Sequence, residues 1–315
     1  MIIFIMNLGC VIPLRCESKQ PTIMKKIFIV VAVCAVVAAA ASGKTVRRTL
    51  SIFQNSVPET ETIAGETMEF VYDYRCCVDT TGRLEDNFAS DNMLLQIGPG
   101  GLSKFSSFRN LTVDSILMRS SSDQIAQAAM DGKLSTGEFM TIYKNYPAGM
   151  LTHTEKICQD WFRYDEEMPR LDWELTDTVT NVLGYKCQGA RCNFRGREWT
   201  VFYSEEIPLP DGPWKLCGLP GLIMAASDQS GHYTFECIGI KSKADRPITI
   251  YKVPFNNTDR RGYYDARHRY EINPYAYYEA TTGGHITVKD EAGNPLLDAY
   301  DPIELMFDYI ERDWK

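Results

Sequence analysis

The chain has 315 residues, 33 of them basic and 41 acidic, for a formal net charge of −8. Hydrophobic residues make up 44% and charged residues 23%, which excludes wholesale disorder and fits a folded globular chain. The acidic balance excludes a nucleic-acid binder, which needs a basic surface to displace counterions from phosphates.

The only long apolar run is Ile27 to Ala41, shorter than the roughly 20 residues of a membrane helix. It follows Met24-Lys25-Lys26 and ends in Ala38-Ala39-Ala40-Ala41-Ser42-Gly43. A basic start, an apolar stretch and a small-residue exit are the parts of a secretory signal peptide. The expectation is a signal peptide over 24–43, with residues 1–23 an upstream extension that is not translated. Cys34 is not a lipidation site, because Val33 precedes it where a lipoprotein signal wants a small Gly or Ala. Residues 44–315 then form a single β-rich domain with no transmembrane helix. It carries 29 basic and 40 acidic residues and seven cysteines: Cys76, Cys77, Cys158, Cys187, Cys192, Cys217 and Cys237. Exported thiols usually pair, so disulfides are expected among these seven. An odd number leaves at least one free, and the spacing does not fix the pairing. Cys76 and Cys77 are adjacent on a strand candidate and point to opposite faces.

Two-residue alternation marks strands through most of this domain. In Met68 to Cys76 the even positions are apolar or aromatic, which predicts a half-buried strand. Further strands are expected at 92–97, 102–108, 150–157, 159–166, 171–175, 185–194, 197–205, 221–227, 232–241, 247–252 and 284–290. Turn chemistry separates them, as at Gly98-Pro99-Gly100-Gly101 and Arg195-Gly196. Helices look few. Ser121-Ser122-Asp123 offers caps ahead of Gln124–Met130, and Gly137–Lys144 has the length of a turn or two of helix. Asn257-Thr258-Asp259 opens a helical stretch that Asn273-Pro274 stops. The fold class is therefore mainly β: a strongly curved antiparallel sheet, sandwich or open barrel, with two or three short helices.

The most informative segment follows Arg195-Gly196. Arg197, Trp199, Val201 and Tyr203 share one strand face, and Ile207-Pro208-Leu209-Pro210 then leaves the sheet. Next come Gly212-Pro213-Trp214-Lys215 and Gly218-Leu219-Pro220-Gly221-Leu222-Ile223. Leu219-Pro220-Gly221-Leu222 has the form of a type II turn, with Gly221 at positive φ. The reading is a Trp-plugged, proline-stiffened loop on a sheet end. These two runs resemble the hallmark of the GLPGLI family, secreted or envelope proteins of Bacteroidota. Gly184-Tyr185-Lys186-Cys187, Phe194-Arg195-Gly196-Arg197, Glu206-Ile207-Pro208, Asn273-Pro274 and Asp301-Pro302-Ile303-Glu304-Leu305 add to the resemblance. It implies an exported, mostly β protein. It carries no established catalytic or ligand residue to this chain. Cys217 and Cys192 are not family markers and suggest extra local bridging.

Candidate chemistry is sparse. Glu166, Glu167, Asp172, Glu174, Glu205 and Glu206 offer carboxylates, but a glycosidase needs two facing one cleft, and adjacent acidic pairs usually lie on the solvated surface. His232 with Cys237, and His153 with Cys158, lie five apart on strands and face opposite ways, so neither makes a natural chelate. There is no Cys-x-x-Cys, His-Glu-x-x-His or Gly-x-Ser-x-Gly, and Gly98-Pro99-Gly100-Gly101 lacks the Lys and helix of a phosphate loop. Late aromatics suit amphipathic packing between helix and sheet, or a sugar or peptide surface. Trp214, Tyr263, Tyr264, Tyr275 and Tyr277 are the candidate ligand-facing rings, with Tyr275 and Tyr277 alternating along one edge. The expectation is an exported cell-envelope protein that binds a lipid, glycan or peptide without catalysis. No cofactor, metal or nucleic acid is expected, and the partner is an unnamed envelope ligand or protein. The alternatives are an envelope hydrolase using a carboxylate pair and a purely structural surface component.

Overall fold

The computed structural model describes residues 57–65, 67–78, 80, 87–284 and 307–314. The expected signal peptide, nearly all of the 284–290 strand and Asp301–Leu305 lie outside them.

The chain enters through β1 (Thr60–Ala64), β2 (Thr67–Cys77), β3 (Phe88–Ile97) and β4 (Ser103–Ser107). Two helices follow: α1 (Phe108–Arg119) and α2 (Ser122–Met130). The Ser107 side chain caps α1 by accepting from the Asn110 amide at 3.0 Å, and Ser121 and Gln124 form a capping box on α2. The strands resume as β5 (Thr141–Lys144), β6 (Met150–Ile157), β7 (Asp160–Glu167), β8 (Glu174–Val182), β9 (Tyr185–Phe194), β10 (Arg197–Ser204), β11 (Leu222–Asp228), β12 (Tyr233–Ala244), β13 (Ile248–Tyr251) and β14 (Phe255–Asn257). Helices α3 (Arg260–Ile272) and α4 (Pro274–Thr282) follow.

Twelve strands form one sheet in the order β14-β7-β6-β5-β4-β3-β2-β12-β11-β10-β9-β8. Every pairing is antiparallel except β14 with β7, and β1 with β13 forms a separate two-stranded ribbon. The sheet bends back over itself. Eight strand spacings separate β7 from β10, which in a flat sheet is about 38 Å. Yet Arg195, at the β9–β10 turn, bonds Glu166 on β7. No ladder closes the gap, so the architecture is an open curl rather than a barrel.

Alternation fills the curl. Phe70, Tyr72 and Tyr74 of β2, Leu95 of β3, Phe105 of β4 and Leu151 of β6 share one core with Trp199, Val201 and Tyr203 of β10 and Phe235 of β12. Burying rings of this size contributes roughly 1.5–3 kcal/mol per side chain. The hairpin at Arg195-Gly196 is as expected: φ is 53° and 73°, the pair of left-handed values that matches strand twist.

Several expectations change. Four α-helices occur among the described residues. α1 lies where no helix was expected, because its amphipathic pattern is weak and only Val113 and Leu117 are buried. Gly137–Lys144 is not helical; Thr141–Lys144 joins the sheet as β5, whose four residues are all buried. Asn273-Pro274 does not end the helical region. Pro274 starts α4 at the position where a missing N–H costs nothing, and Asn273 caps it through the Ala276 amide at 2.9 Å. Tyr275 and Tyr277 therefore lie on a helix, not on an alternating edge.

The outer edge strand β8 carries exposed Leu175 and Val179. Its register breaks between those two residues. Gln188 of β9 donates its side-chain amide to the carbonyls of Thr176 and Thr178 within the break. Among the described residues no helix is long and apolar enough to cross a membrane.

Candidate functional site

The loop between β10 and β11 reaches across the curl. Trp214 sits at φ +53°, fully buried, with its ring 5.4 Å from Trp199 and 5.5 Å from Phe194. Gly221 does not adopt positive φ; Gly218 does, at +93°. The expected type II turn is thus absent. Gly221 is required by close approach instead, since a Cβ there would lie 2.1 Å from the Ser204 carbonyl oxygen. Gly212 is equally tight: a Cβ would lie 2.7 Å from that of Ile223. Leu219, Leu222 and Ile223 are buried in the main core. Pro213 and Pro220 stiffen the chain between them.

Lys215 has no exposed surface. Its ammonium bonds Glu166, the Tyr164 hydroxyl at 3.0 Å and the Glu311 carboxylate at 2.7 Å. Arg260 holds the other Glu311 oxygen at 2.8 Å, and Arg195 stands 3.4 Å away. Burial pushes the Glu311 carboxyl up, but Lys215, Arg195 and Arg260 together hold it below the usual range. Segment 307–314 is thereby fixed across the mouth of the curl. Arg197 of β10 completes this by donating to the carbonyls of Tyr309 and Ile310 and pairing with Asp228 at 2.6 Å. Lys144 ties β5 to the same loop through Asp211 and the Gly212 carbonyl at 2.6 Å. Each buried cation meets carboxylates or carbonyls, as desolvated charges must. Glu166, expected on the solvated surface, is a member of this internal network.

A second polar cluster lies where α3 packs on β6 and β7. His153 and Glu155 follow Leu151 on the inner face of β6, two residues apart. The His153 ring stacks on Tyr164 at 4.7 Å, and its Nε2 is 3.4 Å from Glu155. Burial lowers the His153 pKa, so the imidazole stays neutral. Tyr263 of α3 donates its hydroxyl to Glu155, and Arg267 reaches Glu155 at 3.4 Å and Glu271 at 2.9 Å. Burial alone would raise the Glu155 pKa; Arg267, His153 and Tyr263 outweigh it and keep the carboxylate ionised.

Glu138 faces this cluster from the segment before β5. Its backbone is pinned on both sides. The Glu138 amide donates to Asp91 of β3 at 2.9 Å, the Asn110 side chain of α1 donates to the Glu138 carbonyl at 2.6 Å, and the Gly137 amide donates to Asn110 at 2.8 Å. Gly137 has no alternative, since a Cβ would lie 1.9 Å from an Asp91 oxygen. The Glu138 carboxyl itself meets no hydrogen-bond donor among the described residues. Burial, with Glu155, Asp91 and Glu271 adding like charge against the opposing pull of Arg267, pushes its pKa up to about 7. Glu138 and Arg267 are both half-buried, a quarter of the Arg267 side chain remaining open to water.

The five expected ligand-facing rings, Trp214, Tyr263, Tyr264, Tyr275 and Tyr277, are all buried. Tyr263, Tyr264 and Tyr277 build a small core with Trp314, and Tyr263 joins the polar cluster through its hydroxyl, which donates to Glu155. The expected disulfides are also absent: no bond joins any two of Cys76, Cys77, Cys158, Cys187, Cys192, Cys217 and Cys237. Geometry explains four of them. Cys76 lies opposite Tyr233 and Ala89, Cys237 opposite Tyr72, Cys187 opposite Thr180 and Cys192 opposite Trp199, so none has another cysteine as its cross-strand neighbour. Glu138, Glu155, Arg267 and Lys215 escaped sequence reasoning. Lys215 carried a signal, a charged residue inside an otherwise apolar motif; the other three meet only through tertiary packing.

No family model matches the chain, and no curated protein matches it. Among solved structures, PNGF-II in its P21 and C2 crystal forms is similar to 66% of this chain at 12% and 13% identity, with TM-scores of 0.45 and 0.42. The chain spans about a third of the length of those chains, 34% in each case.

Proposed function

We propose that this chain is an exported envelope protein of the GLPGLI type that binds a small polar ligand, part of a glycan, peptide or lipid headgroup, at the half-buried surface around Glu138 beside α3, without turning it over. One observation carries the binding reading. Three backbone and side-chain hydrogen bonds fix the Glu138 segment, while its half-buried carboxyl accepts no hydrogen bond among the described residues. A group held so firmly and left unused by the fold is pre-organised for something outside it. Export rests on the Lys25-Lys26 start, the apolar run and the Ala-rich exit, and the family reading rests on the Trp214 and Gly218–Ile223 motifs with their ordered flanks.

The hydrolase reading draws on one fact: Glu138 is pushed up to about 7 while Glu155 is held low, the divergence that acid–base pairs need. Against it, Glu155 is already engaged by Tyr263, Arg267 and His153. Native mass spectrometry of the protein taken from its own envelope tests the binding reading. A small-molecule mass is expected on the wild type and absent from Glu138→Gln. Identical spectra for the two proteins refute it, and release of a cleaved product from an added glycan or peptide favours the hydrolase.

A further inference from the structure

Segment 307–314 is held the way a protein holds a peptide. It belongs to no helix or strand. Among the described residues one main-chain bond ties it to the rest of the chain, from the Arg312 amide to the Arg195 carbonyl at 2.9 Å. Side chains take further carbonyls of the segment. Arg197 donates to Tyr309 at 2.7 Å and to Ile310 at 3.0 Å, Tyr233 to Asp308 at 2.7 Å, and Arg260 to Asp313 at 3.1 Å. Charge is matched acid by acid. Asp308 meets Arg197 at 2.8 Å, Glu311 meets Lys215 at 2.7 Å and Arg260 at 2.8 Å, and Asp313 meets Arg260 at 2.6 Å. Ile310 enters the main core, and the Trp314 ring stacks on Tyr264 at 5.6 Å. The groove wall is cut to fit, since a Cβ on Gly196 would lie 2.9 Å from that of Arg312.

We infer that this groove is a self-association site: it accepts the 307–314 segment of a second copy of the chain, so that two molecules exchange segments. Each contact above joins the segment to the body of the protein, and none depends on which molecule supplies it. An exchanged pair keeps all of them and needs no new surface. The connection is long enough. Residues 285–306 join the segment to the end of α4, and a chain of that length extends to about 75 Å, against a radius of gyration of roughly 18 Å for a domain of this size. Charge selects the occupant. A peptide without a carboxylate at the Glu311 position would take one partner from Lys215, which has no exposed surface. The molecule's own segment competes at an effective concentration of about a millimolar, so exchange sets in near that protein concentration.

The test uses the full chain and a fluorescein-labelled peptide with the sequence of residues 307–315. The wild type is expected to bind the peptide with an apparent Kd of about a millimolar, because its own segment must first leave. A full chain carrying Asp308→Asn with Asp313→Asn should bind it about tenfold more tightly, since the resident segment then loses ion pairs that the peptide keeps. Static light scattering of the equilibrated wild type at about 1 mM should show dimers, and excess unlabelled peptide should disperse them. A peptide of the same composition in scrambled order that binds as tightly overturns the assignment. So does a dimer that the authentic peptide leaves intact, which forms through another surface, and so does a wild type that stays monomeric at that concentration. The wild-type measurements need no variant, so they decide the matter even where the double variant fails to fold.

Discussion

The Lys215 clamp sets a definite stability. Lys215 and Glu311 are both fully buried, 2.7 Å apart, and the ammonium also meets Glu166 and the Tyr164 hydroxyl. Removing one partner of a buried pair leaves an uncompensated charge and costs about 3–5 kcal/mol. Lys215→Met keeps the length and apolar stem of the side chain, so packing loss is small. Glu311 retains Arg260 at 2.8 Å, and Glu166 retains Arg195. The residual carboxylates are therefore only partly stranded, and the expected loss lies at the lower end, about 3 kcal/mol. For a chain of this size that lowers Tm by roughly 6–12 °C. Urea unfolding followed by tryptophan emission measures it directly. The double variant Lys215→Met with Glu311→Gln isolates the pair. Its loss should fall short of the sum of the single losses by about 1–3 kcal/mol, because each single change already breaks the same contact. A Lys215→Met protein within about 0.5 kcal/mol of wild type, or strictly additive losses, refutes the clamp as the element that fixes segment 307–314.

Gly221→Ala forces a methyl to 2.1 Å from a backbone oxygen, and urea unfolding should show a loss of about 3 kcal/mol, where Gly65→Ala, with open space around it, should change little. Glu138 gives a pH signature of known sign. Its folded pKa of about 7 lies above the unfolded value, so the wild type loses stability as pH rises from about 4.5 to 7. Glu138→Gln should remove that loss and become the more stable protein at pH 8, by up to about 3 kcal/mol; a wild type that stays ahead of the variant at pH 8 contradicts the assignment. Asp308, Asp228, Glu155 and Glu311 act in the opposite sense. Their folded pKa values are depressed, so their stabilisation is present above about pH 4 and is lost on acidification, visible as a falling urea midpoint. Burial pushes the Cys76 and Cys192 thiols up to about 12 and Cys237 up to about 11. Labelling of these thiols by a disulfide reagent at pH 8 should proceed no faster than unfolding.

Where side-chain alternation was strict, the strands were readable: the expected 150–157 and 185–194 coincide with β6 and β9, and the face of Arg197, Trp199, Val201 and Tyr203 is the buried one. β5 was not readable. Its four residues, Thr141–Lys144, are buried on both faces, so no alternation marks them, and Lys144 is masked as a surface residue by its charge. The role of Gly221 was misread because close approach and positive φ both demand glycine, and only coordinates separate them. The rings from Tyr263 to Tyr277 read equally as a ligand surface or as packing between helix and sheet, and the structure uses them as packing. The cluster of Glu138, Glu155 and Arg267 needs β3, β6 and α3 brought together from distant parts of the chain, a separation that no local pattern spans.

The broken register of β8 bears on how concentrated solutions of this protein will behave. A sheet of twelve strands that never closes offers its last strand as a template for stacking one molecule on the next. Here Gln188 draws two carbonyls inward and buckles that border at its midpoint, so an incoming straight segment finds matching partners over only a short span. Straightening the buckle, for example by Gln188→Val, would align the exposed Leu175 and Val179 on a continuous rim and favour stacking into fibrils.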